Sequence, residues 1–208
     1  MAYEINKINT NSSDCPLFLK NRIKSDVYPK IWALGNLNIL EQQLLGFFCS
    51  VKCPGAIILK TYDLIRDLRN KGVIVISGFH SPIEQDCLDL LIRGKQPIVI
   101  CPARGIETMR IPKSWRVPIE ENRFLILSPF ENKHRRPTVA LAEHRNRFVE
   151  MLADQILIAY AAHKSKTMQL CSESSMKGKK VYTLDNQKSP ETIQYIDNVR
   201  FLANIRDT

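Results

Sequence analysis

The sequence predicts an α/β fold: a doubly wound, mostly parallel sheet of five to seven strands with helices on both faces. Three observations carry that expectation. Short apolar runs recur at Leu44–Phe48, Val73–Ile76, Pro97–Ile100, Phe124–Leu127 and Ile156–Ala159 with helical patterns between them, the alternation of βαβ units. Within these runs the apolar residues are consecutive, not alternate, as in strands covered on both faces. The 208 residues suit one large core better than two.

The elements follow in order. Residues 1–27 read as an N-terminal extension too poor in apolar residues to be a domain, with turns at Cys15-Pro16 and Tyr28-Pro29. The domain spans residues 28–187, beginning with Ile31-Trp32-Ala33-Leu34 as an edge strand. A helix from Gly55 or Ala56 to Asn70 carries Ile57, Ile58, Leu64, Ile65 and Leu68 at near-helical spacing and stops before Gly72, its C-cap. A second, Pro82–Arg93, has proline in its first turn and Gly94 as its stop. A third spans Thr138–Ala153 and a fourth Thr167–Lys177 before Gly178. Val181–Leu184 closes the sheet, and residues 188–208 form a helical tail whose helix runs from Thr192 to Ile205.

No run of about 18 apolar residues occurs, and the first residues lack the apolar stretch of a signal peptide, so a cytoplasmic protein without membrane spans is expected. The cysteines at 15, 49, 53, 87, 101 and 171 are read as reduced thiols. Cys49 and Cys53 have no second pair or histidine at zinc-site spacing, and no metal or cofactor is expected. Thirty Lys and Arg against 21 Asp and Glu give a net charge of +9, which favours a polyanionic partner, nucleic acid first among them.

In open parallel sheets ligands bind beyond the carboxyl ends of the strands, so the loops there are the place to look. They read Cys49-Ser50-Val51-Lys52-Cys53-Pro54-Gly55, Ser77-Gly78-Phe79-His80-Ser81-Pro82 and Cys101-Pro102-Ala103-Arg104-Gly105, then Ser128-Pro129-Phe130 with Lys133-His134-Arg135-Arg136, then His163-Lys164-Ser165-Lys166-Thr167. Hydroxyls beside helix N-termini offer donors to phosphate, and the cations supply charge. Taken singly each has an ordinary reading: Ser50 and Ser77 as helix caps, His80 as a turn residue, Lys133–Arg136 as a solvated loop. Their convergence on one sheet edge makes the case for a basic crevice. Arg145-Asn146-Arg147 lies within a helix, so its two arginines point roughly 200° apart and one of them can face the crevice.

These residues resemble the DprA/Smf family of DNA-processing proteins over about Tyr28–Asp185. Gly35-Asn36 stands before the first strand as the family's Gly-Asn does, and Cys49-Ser50-Val51-Lys52 stands at its Gly-Ser-Arg. Ser77-Gly78-Phe79 matches its Ser-Gly-Phe turn, Arg145-Asn146-Arg147 its Arg-Asn-Arg triplet, and His163–Thr167 the place of its Ser-Gly-Ser and nearby Thr. The resemblance implies a Rossmann-like domain, single-stranded DNA binding, homodimerisation and, for full-length members, a RecA-type recombinase as partner. It covers the Rossmann-type domain alone, without the winged-helix domain of many members. Cys49 replaces a glycine, Val51 replaces an arginine expected at DNA, and His80–Glu84 departs from Ala-Arg-Gly-Ile-Asp; Lys52, Lys164 and Lys166 are the residues that can supply the missing charge.

The first functional expectation is therefore a non-enzymatic binder of single-stranded DNA in uptake, recombination or defence. Its candidate phosphate-binding residues are Ser50, Lys52, Ser77, Gly78, Phe79, His80, Arg104, Arg145, Asn146, Arg147, Lys164, Ser165, Lys166 and Thr167, with Phe79 and Phe130 as base-stacking candidates. The alternative is a sensor or enzyme for a nucleotide or nucleotide-derived molecule in the same crevice, with Glu84 or His80 as acid/base and Cys49 or Cys101 as nucleophile. A regulatory protein using the fold only as an interaction surface is the third.

Overall fold

The apolar runs assemble into one sheet in the computed structural model, which describes residues 3–185 and 194–195. The chain forms β1 (Asn6–Asn9), α1 (Leu17–Arg22), β2 (Lys30–Gly35), a short 3-10 helix (Leu37–Glu41), β3 (Leu44–Cys49), α2 (Gly55–Asn70), β4 (Ile74–Ser77), α3 (Pro82–Ile92) and β5 (Ile98–Ile100). There follow α4 (Lys113–Glu120), β6 (Phe124–Ser128), α5 (Val139–Leu152), β7 (Gln155–Tyr160), α6 (Lys166–Met176), β8 (Lys180–Thr183) and the two-residue β9 (Gln194–Tyr195). The sheet order is β1-β2-β6-β5-β4-β3-β7-β8-β9. Strands β3 to β9 run parallel, while β2 is antiparallel to both β6 and β1.

The consecutive apolar residues have the cause that the sequence suggests. In β3 to β6 every residue is buried, because successive side chains enter two different cores. On one face Ile76, Val99, Leu125 and Ile156 meet Leu19 of α1, Phe148 and Leu152 of α5 and Leu170 of α6. On the other, Val75, Ile98, Phe124 and Leu157 meet Leu64 and Leu68 of α2, Leu88 and Leu91 of α3 and Ile119 of α4.

Helix boundaries follow local chemistry. Gly72, just beyond α2, has φ of 79°, a left-handed conformation that glycine adopts without strain. Ser81 caps α3 with Pro82 at its first turn, Thr138 caps α5 and Ser165 caps α6. Gly94 serves for space instead: a Cβ there would overlap Arg69 and Gln96.

Several expectations need correction. Among the described residues the sheet has nine strands, above the expected five to seven. Ile31–Leu34 is not an edge strand, since β2 lies between β1 and β6 with all four residues buried. The N-terminal extension packs onto the sheet: β1 adds a strand and Leu19 enters the core. Helices α1 and α4 are too short, and α4 too polar around its internal Pro118, to show a sequence pattern. The expected Thr192–Ile205 helix lies outside the described residues except for Gln194–Tyr195, which form a strand.

Arg22 fastens the N-terminal segment to the amino edge of the sheet. Its Nη1 donates to the Leu152 carbonyl (2.7 Å) and the Asp154 carboxylate (3.0 Å), and its Nη2 to the Gln42 carbonyl (2.8 Å). Asp154 Oδ2 also accepts from the Leu44 backbone N–H (2.7 Å). Arg22→Ala should lower unfolding free energy by about 2 kcal/mol, the scale of losing charge-assisted bonds to part-buried groups, as read by urea denaturation.

Candidate functional site

Strands β3 and β7 are parallel neighbours whose chains leave toward opposite faces, β3 into α2 and β7 into α6. This is the topological switch point of the sheet, and the loops that open there are Ser50–Pro54 and Ala161–Ser165. Ser50 Oγ accepts from the Ala162 backbone N–H (3.1 Å) and lies 3.4 Å from Ser165 Oγ, which in turn accepts from Met168 N (3.1 Å). The two serines therefore staple the loops together, and Ser50 does not cap α2. Lys52 and Lys164 are exposed, one on each loop, and Lys164 takes a left-handed φ of 58°. Lys166 pairs with Glu143 at 3.3 Å, while Thr167 is half-buried.

Helix α2 begins at Pro54 with no side chain capping it, and the space beside Gly55 is open. The N–H groups of Gly55 and Ala56 thus stand at an uncapped helix N-terminus close in sequence to Lys52, with the partial positive charge of that end.

Beneath the neighbouring loop lies a polar assembly. Ser77 is fully buried, and its hydroxyl donates to the Phe47 carbonyl (2.7 Å), tying β4 to β3 instead of capping a helix. Arg145, only 3% exposed, presses its guanidinium against Gly78 so closely that any Cβ at that position would overlap it. Its Nη1 donates to the Cys101 carbonyl (3.0 Å) and its Nε to Asn146 Oδ1 (2.8 Å). Burial holds the guanidinium below the usual arginine range, against the pull of Glu84. Arg145 is thus a buttress below the crevice and not a surface contact for phosphate. Arg147, on the other side of α5, is exposed beside Glu143, Lys166 and Gln169.

Glu84 is the residue whose role the sequence reading missed. Its Oε1 accepts from Cys49 N (3.1 Å) and its Oε2 from His80 N (2.9 Å) and Ser81 N (3.3 Å), while Ser81 Oγ accepts from Glu84 N. One buried carboxylate so clamps the loops after β3 and β4. Both its oxygens are engaged, which fits a structural clamp and not an acid/base. The available signal was the Ser-x-x-Glu spacing of a capping box.

Other candidates are corrected as well. Phe79 and Phe130, each 5% exposed, are core residues and do not offer faces for stacking. Cys49 and Cys101 are buried thiols whose pKa values are raised, Cys49 chiefly by interaction with Cys53 and Cys101 by burial, to about 12, so neither suits a nucleophile. His80 is exposed, with its backbone committed to Glu84 and Gln85. Arg104 is half-buried near Ser128, whose hydroxyl donates to the Arg104 carbonyl (2.7 Å). Arg135 and Arg136 are exposed after β6, while Lys133 pairs with Glu131 at 2.8 Å. No metal-binding cluster occurs among the described residues.

Two clefts lie away from these loops. One of about 260 Å³ sits at the amino ends of β3, β4 and β7 beside Gln42, Lys71 and Gln155. The other, about 330 Å³, is lined by Leu34, Met109 and Arg116.

Gly78→Ala should displace Arg145 and lower stability by about 1–3 kcal/mol, the usual cost of overpacking, with the Arg145→Ala, Gly78→Ala double variant less than additive in the same denaturation assay. Glu84→Ala should cost about 2–3 kcal/mol, because three backbone donors lose a charged acceptor.

A family model described as DNA recombination-mediator protein A matches residues 7–198. No curated protein matches the sequence significantly. Among solved structures, DNA processing protein A from Helicobacter pylori, whose structure concerns its single-stranded DNA binding mode, is 17% identical with a TM-score of 0.76 over 99% of this chain and 97% of that one. DNA processing protein A (DprA) from Streptococcus pneumoniae is 17% identical with a TM-score of 0.74, over 96% of this chain and 74% of that one. The molybdenum cofactor binding protein from Rippkaea orientalis shares the fold more distantly, at 10% identity and a TM-score of 0.56, over 80% and 98% of the two chains.

Proposed function

Since the chain belongs to the DNA recombination-mediator protein A family, we propose that it binds single-stranded DNA along the carboxyl edge of its sheet, centred on the switch point between β3 and β7. The observation that carries this reading is the uncapped start of α2 beside the exposed Lys52, faced across the switch point by the exposed Lys164. Uncapped N–H groups at a helix start and two unburied cations are a phosphate-binding arrangement.

The candidate residues divide by role. Lys52, Lys164 and Lys166, with Arg104, Arg135 and Arg136 further along the edge, meet the backbone charge. Ser50, Ser77, Gly78, Ser165, Arg145 and Asn146 hold the loops in place. Base stacking does not fall to Phe79 or Phe130, so affinity is expected to be mainly electrostatic and weakly sequence-dependent. A homodimer and a RecA-type recombinase partner remain proposals that rest on the family resemblance alone, as does a role in DNA uptake, recombination or defence.

The second reading, a small nucleotide ligand, uses the same N–H groups and is separated by competition. A fluorescent single-stranded oligonucleotide titrated with the protein across a range of salt should bind with a strong salt dependence. In the Lys52→Ala, Lys164→Ala double variant the slope of log K against log salt should become shallower by about 1.4, at roughly 0.7 per phosphate contact. Displacement of the oligonucleotide by micromolar mononucleotide would favour the small ligand, and no binding at low salt would overturn the single-stranded DNA reading.

A further inference from the structure

The cleft of about 330 Å³ on the α4 face of the sheet takes no part in the function proposed above. It forms at the β1–β2 margin, where the N-terminal segment meets the chain between β5 and α4. Leu34 of β2, Ile5 just before β1, and Met109 and Ile111 just before α4 make its apolar wall, with the Tyr3 ring among them. Leu34 is buried, whereas the other four are only partly covered. Arg110 and Arg116 complete the lining, and both are exposed. Among the described residues no carboxylate pairs with either arginine, although Glu107 stands on the same wall. Lys7, two residues beyond Ile5, is engaged over the Trp32 ring at 5.6 Å, so the unpaired charge at the cleft is that of the two guanidinium groups.

We propose that this cleft is a second nucleic-acid subsite, which receives one nucleotide unit of the strand held at the switch point, its base on the apolar wall and its phosphate on Arg110 and Arg116. That the cleft takes a nucleotide stands on its own lining; that the nucleotide belongs to the strand rests on the single-stranded DNA binding proposed above.

The lining selects the ligand class. Its volume is near the lower end of the range for small-molecule sites, roughly 300–1,000 Å³, which suits one ring system with its sugar. A bare phosphate would leave the apolar wall unused, and an uncharged ring would leave both guanidinium groups unused. A tyrosine ring and a thioether suit the face of a base, and guanidinium groups bind phosphate oxygens through paired N–H donors.

The chain between β5 and α4 links the cleft to the carboxyl edge. It leaves the sheet at Cys101, carries Arg104, and reaches Arg110 six residues later. Gly105 N donates to the His134 carbonyl (2.9 Å) and Thr108 Oγ1 to Asn132 Oδ1 (2.9 Å), which laces it to the loop after β6. Arg104, Arg110, Arg135 and Arg136 therefore lie on two joined loops that lead from the strand ends to Arg116 on α4.

The test uses deoxyadenosine monophosphate, deoxyadenosine and inorganic phosphate as separate probes, followed by calorimetry and intrinsic fluorescence. Both tryptophans of the chain, Trp32 and Trp115, pack in the same cluster as the cleft wall, so a base entering the cleft alters their emission. The monophosphate should bind at about one equivalent, quench that emission, and bind about tenfold or more tightly than either fragment. The Arg110→Ala, Arg116→Ala double variant should weaken it about tenfold with an unchanged melting temperature, and the Lys52→Ala, Lys164→Ala variant should leave it unaltered. Equal affinity for phosphate alone, or loss in the lysine variant instead of the arginine variant, would overturn the site. A long single-stranded oligonucleotide should expel the monophosphate, and its salt slope should be shallower by about 1.4 in the arginine variant. Binding of both ligands at once would make a free nucleotide the occupant and overturn the place on the strand. Failure of every oligonucleotide to bind would defeat the switch-point reading, while the monophosphate titration would still decide the cleft.

Discussion

A guanidinium buried under the carboxyl edge of the sheet sets the terms for everything above it. Arg145 reaches from α5 to the Cys101 carbonyl after β5 and fills the space that a side chain on Gly78 would occupy. Its charge is kept out of water and lies near the Glu84 carboxylate, which receives the backbone N–H groups of Cys49, His80 and Ser81. Three successive strand ends are thereby fixed by two ionisable residues that are almost wholly buried. Such an arrangement is strongly destabilised by removal of one member, because the other is left without its counterpart. The loops are rigid where they leave the sheet and present their cations only beyond that point.

This division explains why the fold was more legible than the site. Parallel strands covered on both faces write uninterrupted apolar runs, and each of the six such runs is a strand within a residue or so. The antiparallel margin writes no such signal. Asn6–Asn9 is a mostly exposed, polar strand, and β2 reads as an edge in sequence because nothing in residues 1–27 suggests a strand outside it. Pro118 within α4 likewise hides a helix that Trp115 and Ile119 help dock on the sheet.

At the site the candidate serines and cations gather at one edge of the sheet, but charge alone does not tell contact from support. Arg145 and Arg147 are two residues apart, and helical pitch separates them as anticipated, yet it is the outer arginine that is exposed and the inner one that is walled in. Ser50, Ser77 and Ser165 are drawn to one edge, but their hydroxyls serve the protein's own backbone and one another. A glutamate near a strand end reads as an acid/base in sequence, whereas three backbone donors on Glu84 make it a clamp. The Ser-Gly-Phe turn and the Arg-Asn-Arg triplet, two separate motifs in the sequence, meet in the contact between Gly78 and Arg145.

The antiparallel strand β2 also shapes how the chain is made. Its partner β6 lies about ninety residues downstream, with Leu125 opposite Gly35, and Arg22 closes a loop of 130 residues to Leu152. During synthesis the first forty residues must therefore wait, with Trp32 and Leu34 uncovered, until β6 has left the ribosome. The N-terminal segment therefore keeps apolar side chains uncovered through much of synthesis, although β1 and β2 are integrated once the sheet is complete.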